Sequence, residues 1–322
     1  MRIGLFDGGQ RDRRPAMLDE LVERARLAED LGLASVWFNN IVGHDAMTLA
    51  ALAARATTRI ELGTAITPTY PRHPYAMAQQ AASTQAAARG RFTLGVGPSH
   101  RVVVEGTWGL SYDQAYAHIR EYLSVLVPLL QTGEVDHAGQ RFTVRARLTS
   151  TDGLPVPVLL AALGPKMLAL AGSLAAGTVT WMVGARTLRE HIVPRIREAA
   201  AQAGRPAPRI VVGLPLALTS DAAAARELAG RVFKTYGSLP AYRAMLDREG
   251  AAGPADLAIV GDHDAIGEQL LRLAEAGATD FIASLYALGE HHDAGLNASL
   301  GALVTLGAAL TARATPVAGR SL

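Results

Sequence analysis

Short runs of β-branched residues alternate with longer alanine- and leucine-rich segments of helical period along most of the 322-residue chain. This alternation is typical of parallel strands joined by helices. Eight strands are predicted, at residues 2–6, 35–38, 60–66, 92–96, 158–162, 178–182, 210–218 and 280–285. Helices are predicted at residues 18–31, 46–56, 75–88, 112–130, 166–174, 187–203, 222–236, 240–248, 265–276 and 294–312. Eight strand–helix units favour a (β/α)8 TIM barrel, an α/β fold.

A doubly wound open sheet is the competing architecture. Such a sheet usually carries a G-x-G-x-x-G loop directly after its first strand, whereas this chain has FDGGQRDRR there. We therefore predict one barrel domain over 1–322, with a short insertion after the fourth βα unit. The insertion, 133–157, reads as a hairpin around Gly139, and 314–322 reads as a flexible tail.

Composition excludes several classes of protein. Cysteine is absent, which excludes disulfides, thiolate nucleophiles and cysteine-bound metals. The formal charge is +2 and Lys166 and Lys234 are the only lysines, so no basic surface for nucleic acid is expected. The adjacent His291 and His292 lack partners at metal-ligand spacing, and no metal is predicted. Without an apolar run of about 18 residues, no membrane segment is expected, and the protein is predicted to be cytoplasmic.

In a TIM barrel the reactive groups lie where the strands end. Polar or flexible residues follow most of the predicted strands, at 39–40, 65–68, 97–101, 163–166 and 181–184. The exit from the third strand contains three prolines, Pro68, Pro71 and Pro74, which hold the residues before them extended. This segment is interpreted either as a ligand-binding shelf or as a rigid loop only.

Several of these segments resemble the bacterial luciferase-like superfamily, and most closely its branch that uses the deazaflavin coenzyme F420. The resemblance covers residues 1–290 and rests on LGTAITPTYPRHP, GRFTLGVGPSHR, LLAALGPKMLALAG and AAGTVTWMVG. It implies a TIM barrel, a bound F420 or, as in flavin-using relatives, FMN, a small-molecule substrate and a homodimer.

The resemblance also implies positions for the cofactor. A cis peptide at Ala65–Ile66 would back the central ring, and the helix start at Gly164 would hold the phosphate through backbone N–H groups. An ordinary strand-to-helix turn is the alternative at Gly164, and simple packing is the alternative for Trp181. The predicted cofactor-binding residues are Asn39, Ala65, Ile66, Thr67, Gly97, Ser99, Ala162, Leu163, Gly164, Pro165, Lys166, Met167, Gly177 and Trp181.

Three residues are candidates for catalysis. His100 is predicted to donate a proton, Glu105 is a second candidate donor, and Asn40 would hydrogen-bond the substrate or cofactor. Dehydrogenases of the superfamily carry an Asp-His pair after the second strand, whereas this chain has Asn39-Asn40, which cannot exchange protons.

The other histidines are given structural roles. His73 is expected to bridge the proline-rich loop and the following helix, although a position facing the ligand remains the alternative. His118 and His191 fall within predicted helices and are expected on solvated faces.

The sequence therefore predicts an F420-dependent oxidoreductase that transfers a hydride between reduced F420 and an activated C=C, C=N or nitroaromatic acceptor. An FMN-dependent luciferase-like monooxygenase is the first alternative. A barrel that binds a cofactor without catalysis is the second.

Overall fold

Eight parallel strands close into a barrel in the computed structural model, which describes residues 1–7, 16–149, 152–288 and 297–307. We label the barrel strands in chain order: β1 is Arg2–Asp7, β2 Ser35–Phe38, β3 Glu61–Thr64, β4 Phe92–Gly97, β5 Val158–Leu160, β6 Gly177–Trp181, β7 Arg209–Leu218 and β8 Asp280–Leu285. β1 pairs with β2 and β8, and β7 completes the ring by pairing with β6 and β8. The predicted TIM barrel is confirmed.

Helices surround the barrel. They span Leu18–Asp30, Ala46–Ala56, Pro74–Ala87, Arg101–Gly106, Ala115–Gln131, Pro165–Leu174, Ala185–Thr187, Val193–Gln202, Ala222–Val232, Pro240–Glu249 and His263–Glu275, with a further helix at 297–307. Single turns of 3-10 helix lie at Lys234–Gly237 and Pro254–Leu257, and a π-helical turn lies at Leu188–Ile192. Within these described parts of the chain, none of the helices has both the length and the apolar character needed to cross a bilayer.

A two-stranded antiparallel hairpin separates the fourth and fifth units. Its strands, Glu134–Ala138 and Thr143–Arg147, pair with Val135 opposite Ala146 and form a sheet of their own. The predicted tail at 314–322 lies outside the described residues.

Large apolar side chains fill the barrel interior. One buried layer takes one residue from each of five strands: Trp37, Leu159, Val179, Val211 and Ile282. Gly63 on β3 makes room for the Trp37 ring, because an added Cβ there would lie 2.3 Å from ring atom Cε3. The layer therefore seals the barrel below the carboxyl ends of its strands.

A charged network lies at the opposite, amino-terminal end. Arg209 on β7 contacts Glu61 on β3 at 2.5 Å and Asp280 on β8 at 2.6 Å. Burial alone would raise the pKa of Glu61, but its hydrogen bond to Arg209 and the charge of Arg209 hold that pKa below its usual range. The network ties three strands together where the chain enters them.

Four local features differ from the predicted elements. The third strand breaks after Thr64 and resumes as Thr67–Pro68, which pairs with β4. Arg101–Gly106 is a short helix within a segment predicted as loop, and the π-helical turn interrupts the predicted helix 187–203. An additional strand, Ile259–Gly261, pairs with the end of β7.

Candidate functional site

Partly exposed apolar side chains form a floor at the barrel mouth. Phe6, Ala65, Ile66 and Ala161 pack on the interior layer from above, and they come from the carboxyl ends of β1, β3 and β5. The Ile66 side chain lies against Gly97 at the end of β4, where an added Cβ would be 3.3 Å from its Cγ1. Glycine at this position lets the Ile66 and Ala161 side chains pack closely over the end of β4, so an apolar group could lie against the floor.

The peptide bond between Ala65 and Ile66 is cis, as the resemblance predicted. Directly after it, Thr67 is fully buried, and its hydroxyl has no hydrogen-bond partner among the described residues. Thr64 ties the break to β4, because its Oγ1 donates to the Gly95 carbonyl at 2.8 Å and accepts from the Gly95 N–H at 3.0 Å.

The proline-rich exit from β3 is anchored from several sides. The Arg72 side chain forms an ion pair with Asp45, and the Arg72 carbonyl accepts a hydrogen bond from the Tyr122 hydroxyl at 3.0 Å. His73 is the N-cap of helix Pro74–Ala87, with its ring accepting from the Tyr75 N–H. His73 therefore has the predicted structural role.

The exit from β5 leads directly into helix Pro165–Leu174. Its N-cap is Gly164, with no side-chain cap and no acidic residue in the first turn, whereas Asp45, Asp221 and Asp262 cap other helices of this chain. An added Cβ at Gly164 would meet nothing within 4 Å. The first backbone N–H groups of this helix are therefore accessible donors beside open space, which suits an anion.

The exit from β4 holds His100 and Ser99 at the rim. The His100 ring is partly buried and lies 5.5 Å from the ring centroid of Tyr242, and burial lowers the pKa of His100. Ser99 adopts a left-handed backbone conformation with φ of 62°, and its carbonyl accepts a hydrogen bond from the Tyr112 hydroxyl at 3.2 Å. Tyr112 therefore fixes the loop that carries His100.

Aromatic rings continue from His100 along one side of the mouth. Tyr242 contacts Tyr236 with ring centroids 5.1 Å apart, Tyr236 contacts Trp181 at 5.8 Å, and Trp181 contacts Phe6 at 5.3 Å. We call these four rings, Tyr242, Tyr236, Trp181 and Phe6, the aromatic wall. All four are partly exposed, so the wall offers apolar surface beside the floor.

The remaining catalytic candidates have partners in the protein. Asn40 Oδ1 accepts from the Ala46 N–H at 3.2 Å, which places this amide at the start of a helix, and Asn39 beside it is partly exposed. Glu105 is exposed and bonded to Arg101 at 2.5 Å. Asn40 Oδ1 and Glu105 Oε1 are therefore already engaged within the protein.

Comparison with known proteins places the chain in a family. The profile of the luciferase-like monooxygenase family matches residues 1–280. The chain belongs to this family. Its predicted membership of the luciferase-like superfamily is thus confirmed.

Individual luciferase-like relatives differ in cofactor. An F420-dependent glucose-6-phosphate dehydrogenase of Amycolatopsis mediterranei is 31% identical over 199 residues, which are 57% of this chain and 60% of that enzyme. The alignment thus spans less than two thirds of the relative's length. A coenzyme F420-dependent tetrahydromethanopterin reductase from Methanopyrus kandleri superposes with a TM-score of 0.78 at 22% identity, covering 95% of this chain and 97% of that one.

A flavin enzyme superposes almost equally well on this luciferase-like barrel. The oxygenating constituent of 3,6-diketocamphane monooxygenase from Pseudomonas putida, in complex with FMN, gives a TM-score of 0.76 at 18% identity over 96% of this chain and 98% of that one. Likeness at this level of identity establishes the fold.

The structure corrects two predictions, one about Gly177 and one about the buried histidines His118 and His191. Gly177 is the first residue of β6 and lies at the end of the barrel opposite the mouth. An added Cβ there would be 2.0 Å from the Arg209 carbonyl oxygen, so close backbone packing explains this glycine. We therefore remove Gly177 from the candidate site. His118 and His191 are buried, at 6% and 2% exposure, and do not lie on solvated faces. Each has a polar partner, the Thr69 hydroxyl and the Leu163 carbonyl respectively, and such partners cannot be read from helical period alone.

The other predicted cofactor residues lie at or beside the mouth. Ala162 is buried at the exit from β5, Leu163 and Met167 are partly exposed, and Pro165 and Lys166 are exposed on the first turn of the helix. Phe6, Tyr236 and Tyr242 belong to the aromatic wall but were not among the predicted residues, because a single aromatic residue carries no sequence signal of its position at the mouth.

Two surface cavities lie away from the barrel mouth. One, of about 290 Å³, lies at the amino-terminal ends of β5 and β6 and includes Gln131, Pro155 and Arg205. The other lies on the hairpin, between Val135 and Ala146. Neither brings catalytic groups together, so the mouth remains the candidate site. The described residues also contain no group of three or more His, Cys, Asp or Glu side chains suited to a metal.

Proposed function

We propose that this protein is an F420-dependent oxidoreductase that passes a hydride from reduced F420 to an activated C=C, C=N or nitroaromatic acceptor. The observation that carries the proposal is the apolar floor at the barrel mouth, beside the uncapped start of helix Pro165–Leu174. The named activity of the Amycolatopsis mediterranei relative supports F420 as the cofactor.

The residues of the mouth fit a tricyclic ring that carries a phosphate. Ala65, Ile66 and Ala161 would contact one face of the ring, and Gly97 leaves room for the Ile66 and Ala161 side chains. The N–H groups of Lys166 and Met167 would hold the phosphate, because Pro165 at the first helical position has none. The buried Thr67 hydroxyl, which has no partner among the described residues, is a further group that a ligand could engage.

When bound in its reduced form, F420 supplies a hydride. The chain would supply an apolar surface below the ring and a proton at the rim. His100 is the best-placed acid, since its ring borders the aromatic wall through Tyr242 and it lies at the carboxyl end of β4. Asn39 and Asn40 can orient a polar group but cannot exchange a proton.

The aromatic wall favours a conjugated acceptor over a sugar phosphate. Trp181 and Tyr236 offer ring surface on which a flat unsaturated molecule could pack. Of the two lysines, Lys166 lies with its ammonium 5.9 Å from the Tyr116 ring centroid, outside the wall. The dehydrogenases of the superfamily use an Asp-His pair after the second strand, where this chain has Asn39-Asn40. We therefore expect no oxidation of alcohols or sugar phosphates by a proton transfer through that pair.

Titration of the purified protein with F420 and with FMN, followed by fluorescence, tests the proposal. We expect tight binding of F420, weak binding of FMN, and anaerobic oxidation of reduced F420 when nitroaromatic or enone acceptors are added. Tight FMN binding with oxygen-dependent turnover would instead identify a flavin monooxygenase. Cofactor binding without turnover of any acceptor would identify a binding barrel.

A further inference from the structure

A buried histidine holds the loop at which the phosphate is proposed to bind. His191 Nε2 lies 2.7 Å from the carbonyl oxygen of Leu163, the residue before Gly164. Because a carbonyl oxygen can only accept, Nε2 carries the hydrogen. Nδ1 is buried and has no partner among the described residues, so Nε2 makes the hydrogen bond that orients this ring there.

The geometry of a trans peptide connects this bond to the helix start. In a planar trans peptide the carbonyl and the following N–H point in opposite directions. A Leu163 carbonyl directed at His191 therefore turns the Gly164 N–H away from His191. That N–H then points to the side of the loop away from His191, and the space around Gly164 is open enough that an added Cβ would meet nothing within 4 Å.

His191 is itself held from two directions. It lies in the π-helical turn Leu188–Ile192, and the helix before that turn is capped by Glu249, which accepts from the Thr187 N–H at 2.7 Å. After the turn, helix Val193–Gln202 packs tightly on Gly172, where an added Cβ would lie 2.4 Å from the Ile196 carbonyl oxygen. The distance between His191 and the Gly164 loop is thus fixed by packing.

We propose that His191 is a positioning residue for phosphate binding: it keeps the Leu163 carbonyl out of the anion site and directs the Gly164 N–H into it. The inference rests on the proposed function. Without His191 the Leu163–Gly164 peptide can rotate, which removes a donor and brings a carbonyl oxygen toward the phosphate.

Binding of two ligands to His191→Leu tests this role. One ligand is F420, and the other is the phosphate-free deazaflavin with the same ring and ribityl chain. We expect His191→Leu to bind F420 about tenfold to a hundredfold more weakly, as for loss of one hydrogen bond to a charged group, and to bind the phosphate-free ligand as the wild type does. His191→Gln, which keeps an N–H donor, should recover part of the loss.

His118→Leu is the matched control, since it replaces another buried histidine whose partner, Thr69, lies on the β3 exit. It should change the affinities for both ligands by the same factor. Equal weakening of both ligands in His191→Leu would overturn the positioning role while leaving the proposed function intact. Wild-type protein that binds neither F420 nor FMN would overturn both.

Nitrogen NMR of the wild-type protein gives a measurement that does not depend on a variant folding. We expect the neutral Nε2–H tautomer of His191 at pH 7, and a shift of the Gly164 amide resonance with F420 but not with the phosphate-free ligand. An Nδ1–H tautomer, or equal shifts with both ligands, would contradict the proposal.

Discussion

His100 is partly buried and His191 is buried, and burial lowers the pKa of each imidazole. Their surroundings nevertheless give them different tasks. His191 is bonded to a backbone carbonyl inside the protein, whereas the nearest ring to His100 is Tyr242 of the aromatic wall, at the edge of the mouth. Residue type alone could not separate these roles.

We predict that His100→Gln lowers kcat for acceptor reduction about 10²-fold or more while F420 affinity changes little, because a general acid contributes about 10²- to 10⁴-fold. Steady-state kinetics with a nitroaromatic acceptor measures the first quantity and fluorescence titration the second.

The pH profile provides a second readout. The pKa of His100 lies below its usual 6.5, so the protonated, donating form is populated only at lower pH. The wild-type rate should therefore rise as pH falls below about 6.5, the usual pKa of histidine, and His100→Gln should lose this rise. His73→Asn, which keeps an N-cap, should retain it, and a rise that persists in His100→Gln would mean that another group donates the proton.

At the scale of elements, side chains from one unit fix the start of another. Glu29, at the end of helix Leu18–Asp30, accepts hydrogen bonds from the backbone N–H groups of Thr58, Arg59 and Ile60 at 2.6 to 3.0 Å. Burial would raise the pKa of Glu29, but these three N–H groups lower it to about 2. The carboxylate thus orders the turn that leads into β3 and the floor.

Glu29→Gln should lower the free energy of unfolding by about 2 kcal/mol at pH 7, since hydrogen bonds to a charged group contribute about 1.5–3 kcal/mol. The depressed pKa means that this stabilisation is present above the ordinary value of 4.5 and is lost as pH falls toward about 2. Urea unfolding at pH 7 and pH 3 should show the difference between wild type and variant narrowing at the lower pH. Glu23→Gln, on an exposed surface pair, is the control and should change little.

Long periodic elements were predictable, and short ones were not. All eight barrel strands follow from β-branched runs between helical segments. The helix Arg101–Gly106 contains Val102, Val103 and Val104, a run that locally favours a strand, and tertiary contacts override it. The strand Ile259–Gly261 has three residues and exists because the end of β7 lies beside it.

In the candidate site, too, some residues could be predicted from local motifs and others could not. The cis peptide Ala65–Ile66 and the helix start at Gly164 were predicted because the resemblance supplied ordered motifs. The carbonyl partner of His191 and the ring neighbours of Trp181 depend on residues far away in sequence, so no local pattern reveals them.

At the scale of the whole molecule, Arg209 joins strands that are distant along the chain. It bonds to Glu61 and Asp280 in a partly buried network at the amino-terminal end of the barrel. Arg209→Met should lower the free energy of unfolding by about 3 kcal/mol, because the two carboxylates would remain close together with only the half-exposed Arg2 to pair with them.

Chemical denaturation at pH 7 measures that loss. Arg145→Met, which removes an exposed pair with Asp136 on the hairpin, should cost less than about 0.5 kcal/mol. Equal effects of the two substitutions would show that the network contributes no more than an ordinary surface pair.

β7 is longer than its neighbour β6. Its first half pairs with β6, and its last three residues pair with Ile259–Gly261. Residues 219–258, which carry Tyr236 and Tyr242, connect the end of β7 to Ile259–Gly261 and contribute no strand to the barrel. Changes in the length or sequence of this connection can therefore alter which molecules bind at the mouth, while the eight-stranded barrel and the apolar floor stay unchanged.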